Sequence, residues 1–360
     1  MTPKLITHFE PWMPMYFSEG SIGGDIERVS TKKIRAFYEH QPSSEKLAIS
    51  DGLIRLKDNE PRGSNGFAIG GEKTASGNAM LLINPHTSFF FRGESHVVSE
   101  EGLDAYGATT WGQFFIYQGF NEKTGWMHTS TGTDIIDEFT ETIVKSDAGI
   151  QYQYGKELLP VDSVKVSLNY TTDKGISSKD FTMYRTHHGP ITHAEGEKWV
   201  ATALMWSPIK ALEQSFTRTK NSNHDEFYKM MDIRTNSSNN TVYADADGTI
   251  AYYHGNFIPK RNEKFDYTKP VDGSNPATDW KGLHNLEDNI FVKNPPTHWI
   301  QNCNSTPFSS AAEYSPKKED YPKYMSSFPE NFRGIHAIPL LKKAEDLTLK
   351  SLIKLAYDPY

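Results

Sequence analysis

From residue 64 onward, apolar and polar positions alternate mostly with the short period of strands. Strands are expected at 66–69, 79–83, 94–99, 114–117 and 135–144, and then at 163–170, 181–186 and 199–205. Asp247-Gly248, between Thr241-Val-Tyr-Ala and Thr249-Ile-Ala-Tyr-Tyr, predicts a tight hairpin. Helical spacing is confined to a short stretch at 31–40, to 225–233, and to 339–356, where Pro339 suits a first helical position. Residues 1–30 are aromatic and Gly-rich, and Glu10-Pro11-Trp12-Met13-Pro14 cannot be a helix interior. Polar loops are expected at 279–296 and 305–329, and no internal repeat interrupts the pattern. The chain stops at Asp358-Pro359-Tyr360, just past an expected helix, so it reads as a piece of a longer polypeptide.

Composition narrows the class. With 360 residues, 37% of them hydrophobic and 12% aromatic, the chain can bury one large core or two modest ones. A net charge of −7 with no basic block argues against nucleic acid as a partner. No apolar run approaches the ~18 residues of a membrane helix, and Met1-Thr-Pro-Lys opens no secretory signal. The single cysteine, Cys303, excludes an internal disulfide framework and fits either a cytosolic or a periplasmic protein.

One stretch carries candidate chemistry. A charged run, 56–62, ends at Gly63-Ser64-Asn65-Gly66, and an apolar strand follows. Gly63 can take backbone angles closed to other residues, which would hold the Gly63–Ser64 peptide strained beside the serine hydroxyl. Cleavage there by Ser64 would leave a hydroxyl and a free α-amine on one residue. An α-amine titrates near ~7.7–8.0, so it can serve as the base for its own nucleophile. On its own, Gly-Ser-Asn-Gly is a weak signal and reads first as a turn leading into a strand.

Other positions could complete such a site. His86 closes the expected hairpin that starts at Ser64. In Trp126-Met-His-Thr-Ser130-Thr-Gly-Thr-Asp134-Ile-Ile136-Asp137, small residues allow a backbone N–H to approach an oxyanion. Asp134 and Asp137, with a carbonyl between them, are the oxygen donors a hard cation takes. Asn240 at a strand start can hold an oxyanion, and Arg261 can contact a polar substrate group. Asp245 and Asp247 resemble half a calcium loop but read as turn residues. His187-His188 is expected on a strand, where neighbours face opposite ways, so the pair is read as structural.

Together these motifs resemble the penicillin acylase family of amino-terminal nucleophile hydrolases, which includes acyl-homoserine-lactone and aculeacin-type acylases. The likeness runs from Glu10 to Gly282, with a weaker tail to Phe308. It rests on Ser64-Asn65, Gly70-Gly71-Glu72-Lys73-Thr74, Leu82-Ile83-Asn84-Pro85-His86, the 126–139 stretch, and Asn240 with Tyr243-Ala244-Asp245. The resemblance implies an α+β fold, the four-layer αββα sandwich of the Ntn hydrolases with two antiparallel sheets. It implies self-cleavage at Gly63–Ser64 into an αβ heterodimer, with residues 1–63 ending the α chain and 64–360 beginning the β chain. By the same likeness Ser64 is the nucleophile and His86 its orienting neighbour. The Ser130 N–H and Asn240 form the oxyanion hole, and Arg261 lies at the pocket. No cofactor is needed for the chemistry. A structural calcium ion would take Glu10, Asp134, the Ile136 carbonyl and Asp137.

The implied substrate is a small acyl amide, penicillin- or cephalosporin-type or an N-acyl-homoserine lactone, and the implied compartment is periplasmic or secreted. His86 and Asn302-Cys303-Asn304-Ser305 lean toward the lactone branch. The competing reading is a non-catalytic calcium-binding or interaction homologue with the same fold. A metal-dependent amidase is disfavoured, because no His-rich set has workable ligand spacing.

Overall fold

The computed structural model describes residues 8, 10, 13, 25–26, 28–39, 63–86, 92–110, 112–147 and 149–359. The charged run 56–62, and Phe9 and Pro11 beside Glu10, lie outside them.

Four layers stack around Ser64. The strand Gly63–Ile69 sits in the middle of a three-stranded antiparallel sheet, between Trp299–Asn302 and Met80–His86. Phe67 and Ile69 point to one side, where Trp299 joins them against Ala337, Leu341 and Leu352 of the helices Phe332–Lys343 and Leu349–Ala356. Ala68 points the other way and packs with Met127, Val242, Tyr252 and Ile300. The strand is therefore buried on both faces, which is why Gly66-Phe-Ala-Ile lacks the polar alternation of a solvent-facing strand.

The second sheet has seven strands, with Asn239–Asp245 and Thr124–Ser130 at its centre. Met127 and Val242 face the first sheet, while Trp126, Tyr243 and Tyr253 face Phe227, Met230 and Met231 of the helix His224–Met231. Each such side chain contributes about 1.5–3 kcal/mol on burial. The helix Pro208–Arg218 packs beside His224–Met231. Helices, sheet, sheet and helices give the expected αββα order. A further six-stranded sheet, antiparallel except for the Val271–Asp272 and Asp137–Glu141 pair, extends the core, and a three-stranded meander accompanies it.

Several elements depart from expectation. Residues 114–117 form no strand: Phe115 and Tyr117 are buried against Leu212, so their apolar character serves packing of an irregular segment. The single strand expected at 135–144 is two, Asp137–Glu141 and Ile143–Ser146, in different sheets. Pro339 lies inside its helix, which starts earlier because the Asn331 side chain accepts from Gly334 N–H at 3.0 Å. That helix and the next are separated where Asp346 takes φ +49° and the Leu347 N–H donates to the Lys73 carbonyl at 2.9 Å. The Asp247-Gly248 hairpin forms as expected between Asn239–Asp245 and Ile250–Tyr253. Among the described residues no helix is long and apolar enough to cross a membrane.

Candidate active site

Ser64 is buried, one residue into its strand, with Gly63 opposite His86 and Asn65 opposite Asn84. Its Oγ donates to the Gly63 carbonyl oxygen at 2.5 Å, which sets the hydroxyl beside the peptide that precedes it. Gly63 has φ +145°, and a Cβ on it would meet Arg333 Nη2 at 2.9 Å and Asn304 Oδ1 at 3.0 Å. The conformation favours glycine there, and a side chain would displace the Arg333 guanidinium or the Asn304 amide.

In the intact chain the Ser64 nitrogen is an amide, standing where a free α-amine would stand after cleavage. It donates to Asn304 Oδ1 at 2.5 Å. Arg333, from the helix Phe332–Lys343, clamps this arrangement. Nη1 donates to the Ser64 carbonyl at 2.9 Å and to Asn65 Oδ1 at 2.7 Å, and Nη2 to Asn304 Oδ1 at 2.9 Å.

A polar chain leads from Ser64 to the second sheet. Asn302 Oδ1 accepts from the Asn304 N–H at 3.0 Å and from Thr129 Oγ1 at 2.6 Å. Asn240 Nδ2 in turn donates to Thr129 Oγ1 and to the Ser130 carbonyl, both at 3.1 Å. Asn240 Oδ1 is buried with no hydrogen-bond partner. Ser64 is thus linked to Asn240 and Ser130, far apart in sequence, through Asn304, Asn302 and Thr129.

The profile of the penicillin amidase family matches residues 4–360, nearly the whole chain. The chain belongs to the penicillin amidase family. It is 26% identical over 262 residues to penicillin G acylase of Escherichia coli, covering 69% of this chain and 29% of that protein. It is 25% identical over 259 residues to the acyl-homoserine lactone acylase QuiP of Pseudomonas fluorescens, covering 70% and 31%. A thermostable penicillin G acylase from Alcaligenes faecalis superposes with a TM-score of 0.65 at 19% identity, over 81% of this chain and 51% of that one. The α+β fold is that of these Ntn hydrolases, and the chain spans less than a third of the two curated relatives' length.

Within this penicillin amidase fold, the remaining expected residues fall differently. His86 is half-buried, and its Nε2 lies 3.1 Å from Asn84 Oδ1 and 3.3 Å from Asn65 Nδ2, not on Ser64. Burial, followed by the charge of Arg333, lowers its pKa, so the ring is neutral at neutral pH.

Arg261 is not beside Ser64. Nε and Nη2 grip Asp137 at 2.7 and 2.9 Å, Nη1 lies 3.3 Å from Asp134 Oδ2, and the rings of Tyr267 and Tyr324 flank the guanidinium. Asp137 Oδ2 also accepts from Trp280 Nε1 at 2.5 Å. These groups do not present a calcium site. Calcium takes ~6–8 oxygens, whereas here a guanidinium supplies the positive charge between Asp134 and Asp137. Glu10 pairs with His8 at 2.7 Å and is not gathered with the aspartates, and Ile136 packs beside Met205 and Trp280.

Arg333 escaped sequence reasoning because no motif surrounds it. Asn304 stood out in the sequence only within Asn302-Cys303-Asn304-Ser305, the stretch that leans toward the lactone branch. A recess of about 1180 Å³ lies between the helix Thr31–Glu39 and the six-stranded sheet, lined by Lys33, Phe37, Tyr184 and Trp199, away from Ser64.

Proposed function

We propose that this protein is a self-processing amino-terminal serine acylase that hydrolyses the amide between an acyl chain and an amine-bearing core. The observation that carries the reading is the Ser64 Oγ held 2.5 Å from the Gly63 carbonyl oxygen, with Gly63 at φ +145°.

In the processing step Ser64 Oγ bonds to the Gly63 carbonyl carbon and the Gly63–Ser64 C–N bond breaks, leaving an ester and a free α-amine. Water then hydrolyses the ester and frees the Gly63 carboxylate, giving an αβ heterodimer divided at 63/64. In turnover the α-amine takes the Oγ proton, directly or through a water, as Oγ attacks the substrate carbonyl. The Ser130 N–H and the Asn240 amide stabilise the oxyanion, for which Asn240 turns one N–H away from Thr129 or Ser130. The amine leaves with a proton, and water releases the acyl group from Ser64.

The names of the relatives divide the substrate class between penicillin-type amides and N-acyl-homoserine lactones. His86 and Asn302-Cys303-Asn304-Ser305 lean toward the lactone branch, and Asn302 and Asn304 both enter the Ser64 network. A periplasmic or secreted location accords with that class. Matched assays of the full-length protein on a phenylacetyl amide and a long-chain acyl-homoserine lactone test the reading. Hydrolysis of at least one, abolished in Ser64→Ala, is the expected result. Undiminished amidase activity in Ser64→Ala would overturn it.

A further inference from the structure

His187 and His188 do not lie on a strand. They form the two-residue turn between the strands Gly175–Thr186 and Gly189–Glu195, where Thr186 pairs with Gly189. The turn is tight: Gly189 has φ +146°, and a Cβ there would meet the Thr202 carbonyl oxygen at 2.2 Å. In a turn, adjacent side chains need not diverge, and both imidazoles reach toward Asp279. His188 Nε2 lies 3.0 Å and His187 Nε2 3.8 Å from Asp279 Oδ1, and the three ligand atoms all fall within 4.8 Å of one another. A tetrahedral ion with bonds of about 2.0–2.1 Å separates its ligand atoms by about 3.3 Å, so the spacing here brackets that of a metal site.

Each of the three residues is held from behind by a hydrogen-bond partner. His188 Nδ1 lies 2.8 Å from Glu141 Oε1, which also accepts from Thr186 Oγ1 at 2.7 Å. His187 Nδ1 lies 2.8 Å from the Tyr152 hydroxyl, and Tyr154 donates to Asp279 Oδ2 at 2.5 Å. Every outward atom of the three residues is held, while both Nε2 atoms converge on one carboxylate oxygen. His188 is stacked flat on Phe139 at 4.0 Å, which fixes its ring plane. A neutral imidazole has one N–H. If His188 gives it to Glu141, its Nε2 lone pair faces a carboxylate oxygen at 3.0 Å, an arrangement that a cation between them relieves.

Charge points the same way. Glu141 is fully buried, and its Oε2 has no hydrogen-bond partner. Among the described residues, neither Glu141 nor Asp279 has a lysine or arginine within salt-bridge distance.

We infer that His187, His188 and Asp279 form a site for a borderline divalent transition ion, zinc foremost, with Glu141, Tyr152 and Tyr154 as its outer shell. Imidazole donors select zinc over calcium or magnesium. His187 is the most exposed of the three ligands, which leaves room on its side for a water as fourth ligand. The ion fastens the 187–188 turn to the segment that carries Asp279 and Trp280. It belongs to the six-stranded sheet and takes no part in the chemistry at Ser64.

The test uses the full-length protein, stripped with EDTA and titrated calorimetrically with zinc sulfate. One saturable site per chain and a rise in Tm are expected. His187→Gln and Asp279→Asn, chosen to keep side-chain volume, should bind zinc at least about tenfold more weakly while matching the wild-type Tm in EDTA. Anomalous diffraction at the zinc edge from zinc-loaded wild-type crystals locates the ion independently of any variant's folding. An anomalous peak among His187, His188 and Asp279 supports the site. No zinc binding by the folded wild type, equal affinity in both variants, or a peak elsewhere overturns it.

Discussion

Arg333 donates to the Ser64 carbonyl at 2.9 Å and, through its other terminal nitrogen, to the Asn304 oxygen that receives the Ser64 N–H. A guanidinium is thereby fixed beside the nitrogen that becomes the α-amine in the proposed mechanism. A nearby positive charge disfavours protonation of an amine and lowers its pKa. Arg333→Met is therefore expected to move the acid limb of the kcat/KM–pH profile to higher pH, since a more basic amine stays protonated longer as pH rises. A profile unchanged in shape, with only its height reduced, would mean that Arg333 acts through packing alone.

Gly63 has a conformation that strains any other residue, and a Cβ on it would meet the side chains of Arg333 and Asn304. Gly63→Ala should cost about 1–3 kcal/mol locally and push Arg333 or Asn304 away from Ser64. Processing, followed by gel electrophoresis after expression, is expected to slow or stop. Wild-type processing in Gly63→Ala would show that the geometry before Ser64 is not critical.

The Arg261–Asp137 pair is buried and bidentate. Removing the cation leaves Asp137, whose pKa burial already raises against the opposing pull of Arg261, without compensation. Arg261→Ala is expected to destabilise the fold by about 3–5 kcal/mol in urea unfolding. Because the guanidinium already stands between the aspartates, millimolar calcium should leave the wild-type Tm unchanged. A calcium-dependent rise in Tm would contradict this arrangement.

His254 is buried, with Nε2 2.8 Å from both the Met325 carbonyl oxygen and Thr133 Oγ1. Burial lowers its pKa from 6.5 to about 4. The unfolded chain therefore binds the extra proton first as pH falls, and stability drops between those two values. About 3 kcal/mol should be lost across that window, as the shift from 6.5 to about 4 implies. His254→Gln should show a shallower acid limb in denaturant midpoints measured over the same range. An equally steep limb in the variant would assign the acid sensitivity to other groups.

Much of the frame was legible because local signals agreed with it. The apolar run after Ser64 reads as a buried strand, and Asp247-Gly248 specifies its hairpin from two residues. The strands expected to carry Ser130 and Asn240 pair with each other, Asn239 opposite Ser130 and Asn240 opposite Thr129. What stayed hidden depends on contacts that no local pattern encodes. Arg333 reaches Ser64 from a helix near the end of the chain. The sequence around Arg261 does not reveal that it faces Asp137 rather than a pocket. The 187–188 pair lies in a turn rather than on the expected strand, so strand alternation does not set which way its side chains point.

The central claim is that Ser64 frees its own amino terminus. Intact-mass spectrometry of the full-length protein beside Ser64→Ala tests it most directly. The account expects two wild-type fragments, one beginning at Ser64, and a single uncut chain in the variant. A folded wild-type protein that stays uncut, or a variant that is cut at the same bond, would contradict it.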